Sequence, residues 1–184
     1  MAIPHIPQPV KLIIGMLSSK VSLFDEVKKV LINLFGEIDL ETELINFSHT
    51  DYYNDELGEG IKRKFLSFTN LIQPEDIVRI KHVVTDIEIK YQKGDKRRTI
   101  NLDPGYITLS KLVLVTYKDY SHRVYIGDKV YGEATLRFVN GTFQPHEYTY
   151  PDYRSQEYVN FFNKVREIYK SQLKKFMSKT FKNF

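Results

Sequence analysis

The stretch 101–133, NLDPGYITLSKLVLVTYKDYSHRVYIGDKVYGE, concentrates side chains of catalytic type between apolar runs. Asp103 and His122 are a candidate acid/base pair, because a carboxylate accepts a proton and imidazole titrates near neutrality. Arg123 carries a planar donor fork that matches phosphate or carboxylate, and Lys111 can add charge beside it. Tyr106 offers a ring for stacking. A second cluster, Asp152, Tyr153 and Arg154 in YTYPDYRS, precedes a helix start, where backbone N–H groups attract anions. Asp51, Tyr52 and Tyr53 form a weaker third patch in the polar connection 51–60.

Each candidate has a plainer explanation. A single His in a strand is commonly structural. Asp103-Pro104-Gly105-Tyr106 has type II turn chemistry. Asp152–Arg154 is also a good helix entry. The C-terminal residues 160–184 hold seven Lys/Arg against one Glu, within a net charge of +4. That basic end can track phosphate, or it can be a solvated face with cations near a helix C-terminus.

Several chemistries are excluded or carry no signature. The chain has 184 residues and no cysteine, which removes disulfides, thiolate zinc sites and cysteine nucleophiles. GxxxxGK[ST], GxGxxG after a strand, HExxH, GxSxG and EF-hand patterns are all missing. The histidines at 5, 49, 82, 122 and 146 are scattered, so no metal site is expected from spacing, and no motif names a cofactor. The apolar run at 12–17 is too short to span a bilayer and lacks a basic leader. The expectation is a cytoplasmic protein with no membrane partner, its oligomeric state open.

The elements that must position these groups follow from periodicity. Residues 10–17 are a continuous apolar run and read as a buried strand. Leu23, Val27, Val30, Leu31 and Leu34 recur at helical spacing up to Gly36, a C-terminal cap. Residues 38–47 and 61–71 read as strands. Pro74 opens a segment to residue 92 whose second half, 83–91, fits helix or strand, with helix favoured by the start signal. A short strand is expected at 98–102, and 108–116 is either a short helix or a buried strand. Gly127-Asp128 and Asn140-Gly141 are hairpin turns joining 121–126, 129–139 and 142–148, with Pro145 at an edge. Ser155 caps a last helix with Tyr158, Phe161, Phe162, Val165, Ile168 and Tyr169 as its apolar stripe. This predicts one α+β domain over 1–184: a ferredoxin-like β-α-β-β-α-β half, extended by an antiparallel meander and closed by the C-terminal helix. Residues 1–9 form an irregular lead-in, and 176–184 a frayed basic tail.

The hairpin sharpens the expectation for Arg123. With Gly127-Asp128 as a two-residue loop, His122 falls opposite Glu133 and Arg123 opposite Gly132. Arg123 then shares a buried face with Val130, Ala134, Leu136 and Phe138, and needs an anion, from the protein or from a ligand. With a three-residue loop, Arg123 faces Glu133 and a cross-strand ion pair accounts for it.

PxPVKLIIGMLSS, the HTDYY loop, KRKFLSFTNLI, INLDPGY, SKLVLVTYKDYSHRVYIG and YTYPDYRSQEYVNFF occur in this order over roughly residues 7–169. Together they resemble an uncharacterised prokaryotic family, domain-of-unknown-function family 4416. The resemblance implies no established activity. Some members carry a GTP-binding label, but this chain lacks the phosphate loop, and its Thr116-Tyr117-Lys118-Asp119 departs from the guanine-reading Asn-Lys-x-Asp pattern. The favoured expectation is binding of an anionic, nucleotide-like or phosphorylated small ligand through Arg123, Lys111 and Arg154, with Tyr106 or Tyr153 stacking. The alternatives are an RNA-binding module using the basic C-terminal helix, an enzyme using Asp103 and His122, and a structural oligomer subunit.

Overall fold

The computed structural model describes residues 3, 6–47, 57–92, 94 and 97–180. Asp51, Tyr52 and Tyr53 of the first polar loop, and residues 181–184 of the basic tail, lie outside the described residues. The chain begins with β1 (Val10–Ser18), buried at every position. Its Leu12, Ile14 and Met16 meet the helices α1 (Val21–Phe35) and α2 (Asp76–Lys90), while Ile13 meets the long C-terminal helix α3 (Gln156–Thr180). A strand covered on both faces needs apolar side chains in both directions, hence the apolar run; its buried Lys11 pairs with Asp39.

The other strands are β2 (Ile38–Glu41), β3 (Ile45–Asn46), β4 (Lys62–Ile72), β5 (Asn101–Ile107), β6 (Lys111–Thr116), β7 (Val124–Gly127), β8 (Val130–Val139) and β9 (Thr142–Pro145). They form one antiparallel sheet in the order β2-β4-β1-β5-β6-β8-β7, with β3 beside β4 and β9 beside β8. The chain is thus α+β, with a C-terminal helix. Ser155 caps α3, accepting at Oγ from the Tyr158 N–H at 3.4 Å, and α3 stays helical to Thr180.

Some expectations are corrected and two open choices are resolved, 83–90 as the favoured helix and 108–116 as a strand. The strand at 38–47 is two pieces, because Thr42 Oγ1 takes the Phe65 N–H that a continuous ladder would use. Residues 83–90 are helical: Ile80, Val84 and Ile87 are buried while Ile89 is 53% exposed, which fits period 3.6 and not period 2. The segment 108–116 resolves as the strand β6. The strand expected at 98–102 starts later and runs through Asp103-Pro104-Gly105, because β1 pairs with it from Leu17↔Asn101 to Lys11↔Ile107. That ladder overrides a local turn preference.

The meander has two type I′ turns. Asn140 and Gly141 have φ of 53° and 83°, as their types favour, and Val139 pairs with Thr142. The other turn falls one residue later than expected, on Asp128 and Lys129 with φ of 44° and 65°. A bulge between Tyr125 and Gly127 absorbs the extra residue, so Val124, not Arg123, faces Gly132. A further register shift, opposite the Leu112/Val113 step, splits the apolar face expected along β8. Val130 joins the core under α1 and α2, and Leu136 the core under α3, since a one-residue shift reverses side-chain direction.

Candidate functional site

β5 and β6 pair only at Gly105↔Leu114, Tyr106↔Val113 and Ile107↔Leu112, and then part. The Asp-Pro-Gly segment stands at the parting, and its chemistry explains the fork. Alternation puts the Pro104 nitrogen on the same strand edge as those of Leu102 and Tyr106, so the ladder loses a donor where β6 leaves. The Leu102 N–H on that edge is taken by the Glu88 carboxylate at 2.5 Å. At Gly105 a Cβ would sit 2.3 Å from the Val113 carbonyl oxygen, so β6 approaches this closely only because no side chain is there.

The fork opens into a cavity of about 1000 Å³. Lys81, Thr85 and Glu88 of α2 form one wall, and residues 114–120, at the end of β6 and beyond, the other. Arg63, Asn101 and Asp103 form the floor. Arg123, Glu133, Tyr150, Asp152 and Tyr153 complete the lining.

Arg63 is buried, and its guanidinium is held between two carboxylates, 2.8 Å from Asp103 and 3.1 Å from Asp152. The rings of Phe47, Phe65 and Tyr153 surround it at 5.3 to 5.7 Å. Gly15 leaves the room, since a Cβ there would lie 3.0 Å from Arg63 Nη1. Burial disfavours a charge on Asp103. Arg63 and then Lys81 outweigh it, helped by hydrogen bonds from Arg63 and Asn101, and the carboxyl lies below the usual range. Glu88 goes the other way: burial raises it further than Lys81, the Leu102 N–H and Arg98 lower it. Arg63 Nε and the Tyr153 and Tyr158 hydroxyls are buried with no hydrogen-bond partner among the described residues.

Arg123 has a protein anion. Its Nε donates to Glu133 at 2.8 Å, Nη1 to the Lys118 carbonyl at 3.0 Å and Nη2 to the Tyr150 hydroxyl at 2.9 Å. This is the ion pair expected for the longer loop. Glu133 also meets His122 at 3.1 Å and accepts from Thr135 at 3.1 Å. Lys81 is the opposite case. It is 8% exposed, and its ammonium lies 5.2 Å from the Tyr117 ring centre. Among the described residues it has no carboxylate or hydrogen-bond acceptor in contact.

The fork thus gathers Asp103, Arg123, Asp152 and Tyr153. His122 is not part of the lining; it sits behind Glu133, its ring stacked on Tyr148 at 4.4 Å. Among the described residues Asp103 and His122 have no hydrogen-bond or ion-pair partner in common. Tyr106 packs against the core under α1 and α2. Lys111 is exposed at the outer start of β6. Arg154 donates to the carbonyls of Thr149 at 2.8 Å and Glu147 at 2.7 Å, pinning the entry to α3. Sequence reading passed over Arg63, Lys81 and Glu88. A signal existed: Ile77, Lys81, Val84 and Glu88 share one helix face, so α2 turns two charges inward, and alternation puts Arg63 on the face of buried Phe65. Among the described residues no cluster of His, Asp and Glu could hold a metal ion, and no helix is long and apolar enough to cross a membrane.

A family model described as a domain of unknown function, DUF4416, matches residues 8–169. No curated protein and no solved structure matches.

Proposed function

This chain belongs to the DUF4416 family, and from its cavity we propose that it binds a small anionic ligand with a flat, ring-bearing part, of the nucleotide or phosphorylated class. The observation that carries this reading is Lys81. Its ammonium lines the cavity with no carboxylate or hydrogen-bond acceptor in contact among the described residues, Glu88 and Asp103 acting on it only from a distance, and an incoming phosphate or carboxylate would supply the contact partner. Arg63 is unsuited to the task, because its fork is already engaged by Asp103 and Asp152. Tyr117, Tyr120 and Tyr150 supply rings along the lining, and Thr85 and Thr116 supply hydroxyls. The RNA alternative would use Lys164, Lys170, Lys174 and Lys175, which are exposed on α3 and none of which line the cavity.

The test is a thermal-shift screen of inorganic phosphate, nucleotides and sugar phosphates on the wild type and on Lys81→Met. At least one of these should raise Tm in the wild type and leave Lys81→Met unmoved. No shift from any of them, or an equal shift in both proteins, overturns the reading.

A further inference from the structure

Beside the fork, three side chains from three elements meet in a line. His82, on α2, lies with Nε2 3.0 Å from Asp128 Oδ2 and 3.1 Å from the Asp128 carbonyl oxygen. Its Nδ1 lies 2.9 Å from the Tyr117 hydroxyl. Both partners of Nε2 are acceptors, so in the neutral imidazole Nε2 carries the proton and Nδ1 accepts from the Tyr117 O–H. Asp128 is held at φ 44° in the β7–β8 turn, a conformation that Asp tolerates. Tyr117 lines the cavity, and the Lys81 ammonium stands against its ring.

A phenol, an imidazole in hydrogen-bond reach and a carboxylate that orients the imidazole repeat the logic of an activated nucleophile. The geometry points to an acid–base site: Tyr117 and His82 are the residues that carry the proton, and Asp128 is the positioning residue. The inference rests on the anionic-ligand reading, and it narrows the ligand to a phosphorylated or carboxylated molecule that also bears a hydroxyl. With the anion on Lys81, the ligand's hydroxyl proton passes to Tyr117 Oη while the Oη proton passes to His82 Nδ1. Negative charge develops on the ligand oxygen as its proton leaves, and His82 becomes an imidazolium beside Asp128. The reverse transfer restores both.

The relay can be tested without knowing the ligand. An arylsulfonyl fluoride reacts with a phenol whose proton has a base to go to: an oxygen–sulfur bond forms, the sulfur–fluorine bond breaks, fluoride leaves and His82 takes the proton. Exposure alone ranks Tyr120 at 66% and Tyr125 at 59% ahead of Tyr117 at 38%. The relay predicts the reverse order. Peptide mapping can tell them apart, because the tryptic peptide 112–118 contains Tyr117 and no other tyrosine. Labelling of Tyr117 should outrun both comparators, fall about ten-fold or more in His82→Gln, and fall less in Asp128→Asn. A contact that merely clamps the turn onto α2 would lower Tm in His82→Gln and leave the relative labelling rates unchanged. That outcome, or labelling ranked by exposure, overturns the inference.

Inorganic phosphate separates the two readings. If phosphate raises Tm through Lys81 yet leaves Tyr117 labelling unslowed, the inference fails and the binding reading stands. If phosphate and the other anions do not bind, the binding reading fails, and with it the ligand chemistry inferred here, whatever the labelling order shows of the relay.

Discussion

Arg63 and Lys81 are two buried cations on one cavity, and the protein treats them oppositely. Arg63 has two carboxylates, a cage of rings and a glycine that makes room for it. Lys81 has one ring and, among the described residues, no anion in contact. A buried charge held between two carboxylates serves the architecture. It joins β4, β5 and the 3-10 turn Pro151–Arg154 at one point, and removing a partner strands the others. A buried charge whose carboxylates, Glu88 and Asp103, act only from a distance keeps its hydrogen-bond donors for an anion that enters the cavity.

The contrast predicts a ranked set of effects. Arg63→Leu should be the most damaging, at about 3–5 kcal/mol in urea unfolding, because buried Asp152 and half-buried Asp103 would lose their cation. A loss within experimental error would put Arg63 in the same class as Lys81 and end the comparison. Arg123→Ala should cost about 1.5–3 kcal/mol by the same measurement, since among the described residues Glu133 would keep only His122 and Thr135. Gly105→Ala should cost about 1–3 kcal/mol, because its new methyl meets a backbone oxygen that cannot turn aside. Lys81→Met should change stability by less than about 1 kcal/mol, or raise it, while abolishing anion binding. A large loss of stability there would show that the ammonium is structural.

Alkali tests the surroundings of Arg63 from another side. Burial pushes the Tyr158 hydroxyl up to about 12, against an opposing pull from Arg63, and Tyr153 is raised well above its ordinary value for the same reason. A raised folded value favours the protonated fold. The contribution is therefore complete below the unfolded value of about 10 and is lost as pH climbs toward 12. Stability followed by near-UV circular dichroism should fall in that window. Tyr158→Phe should flatten the fall, and an unchanged profile would remove Tyr158 from it.

What could be read along the chain was what local periodicity dictates. The stripe of α1, the cap and stripe of α3, the doubly buried β1 and the Asn140-Gly141 turn each depend on residues within a few positions of one another. The candidates Asp103, Arg123, Asp152 and Tyr153 were also legible, as polar residues set beside rigid elements. Tertiary structure decided the rest. Asp-Pro-Gly has turn chemistry, yet β1 holds it extended and the departure of β6 makes it the apex of a fork. One bulged residue in β7 moves Arg123 from Gly132 to Glu133. Arg63 finds Asp152 across 89 positions, and His82 finds Tyr117 across 35. Pairings over such distances are set by which strands and helices become neighbours. No local pattern encodes them, because the free energy that selects them comes from burying both faces of the sheet at once.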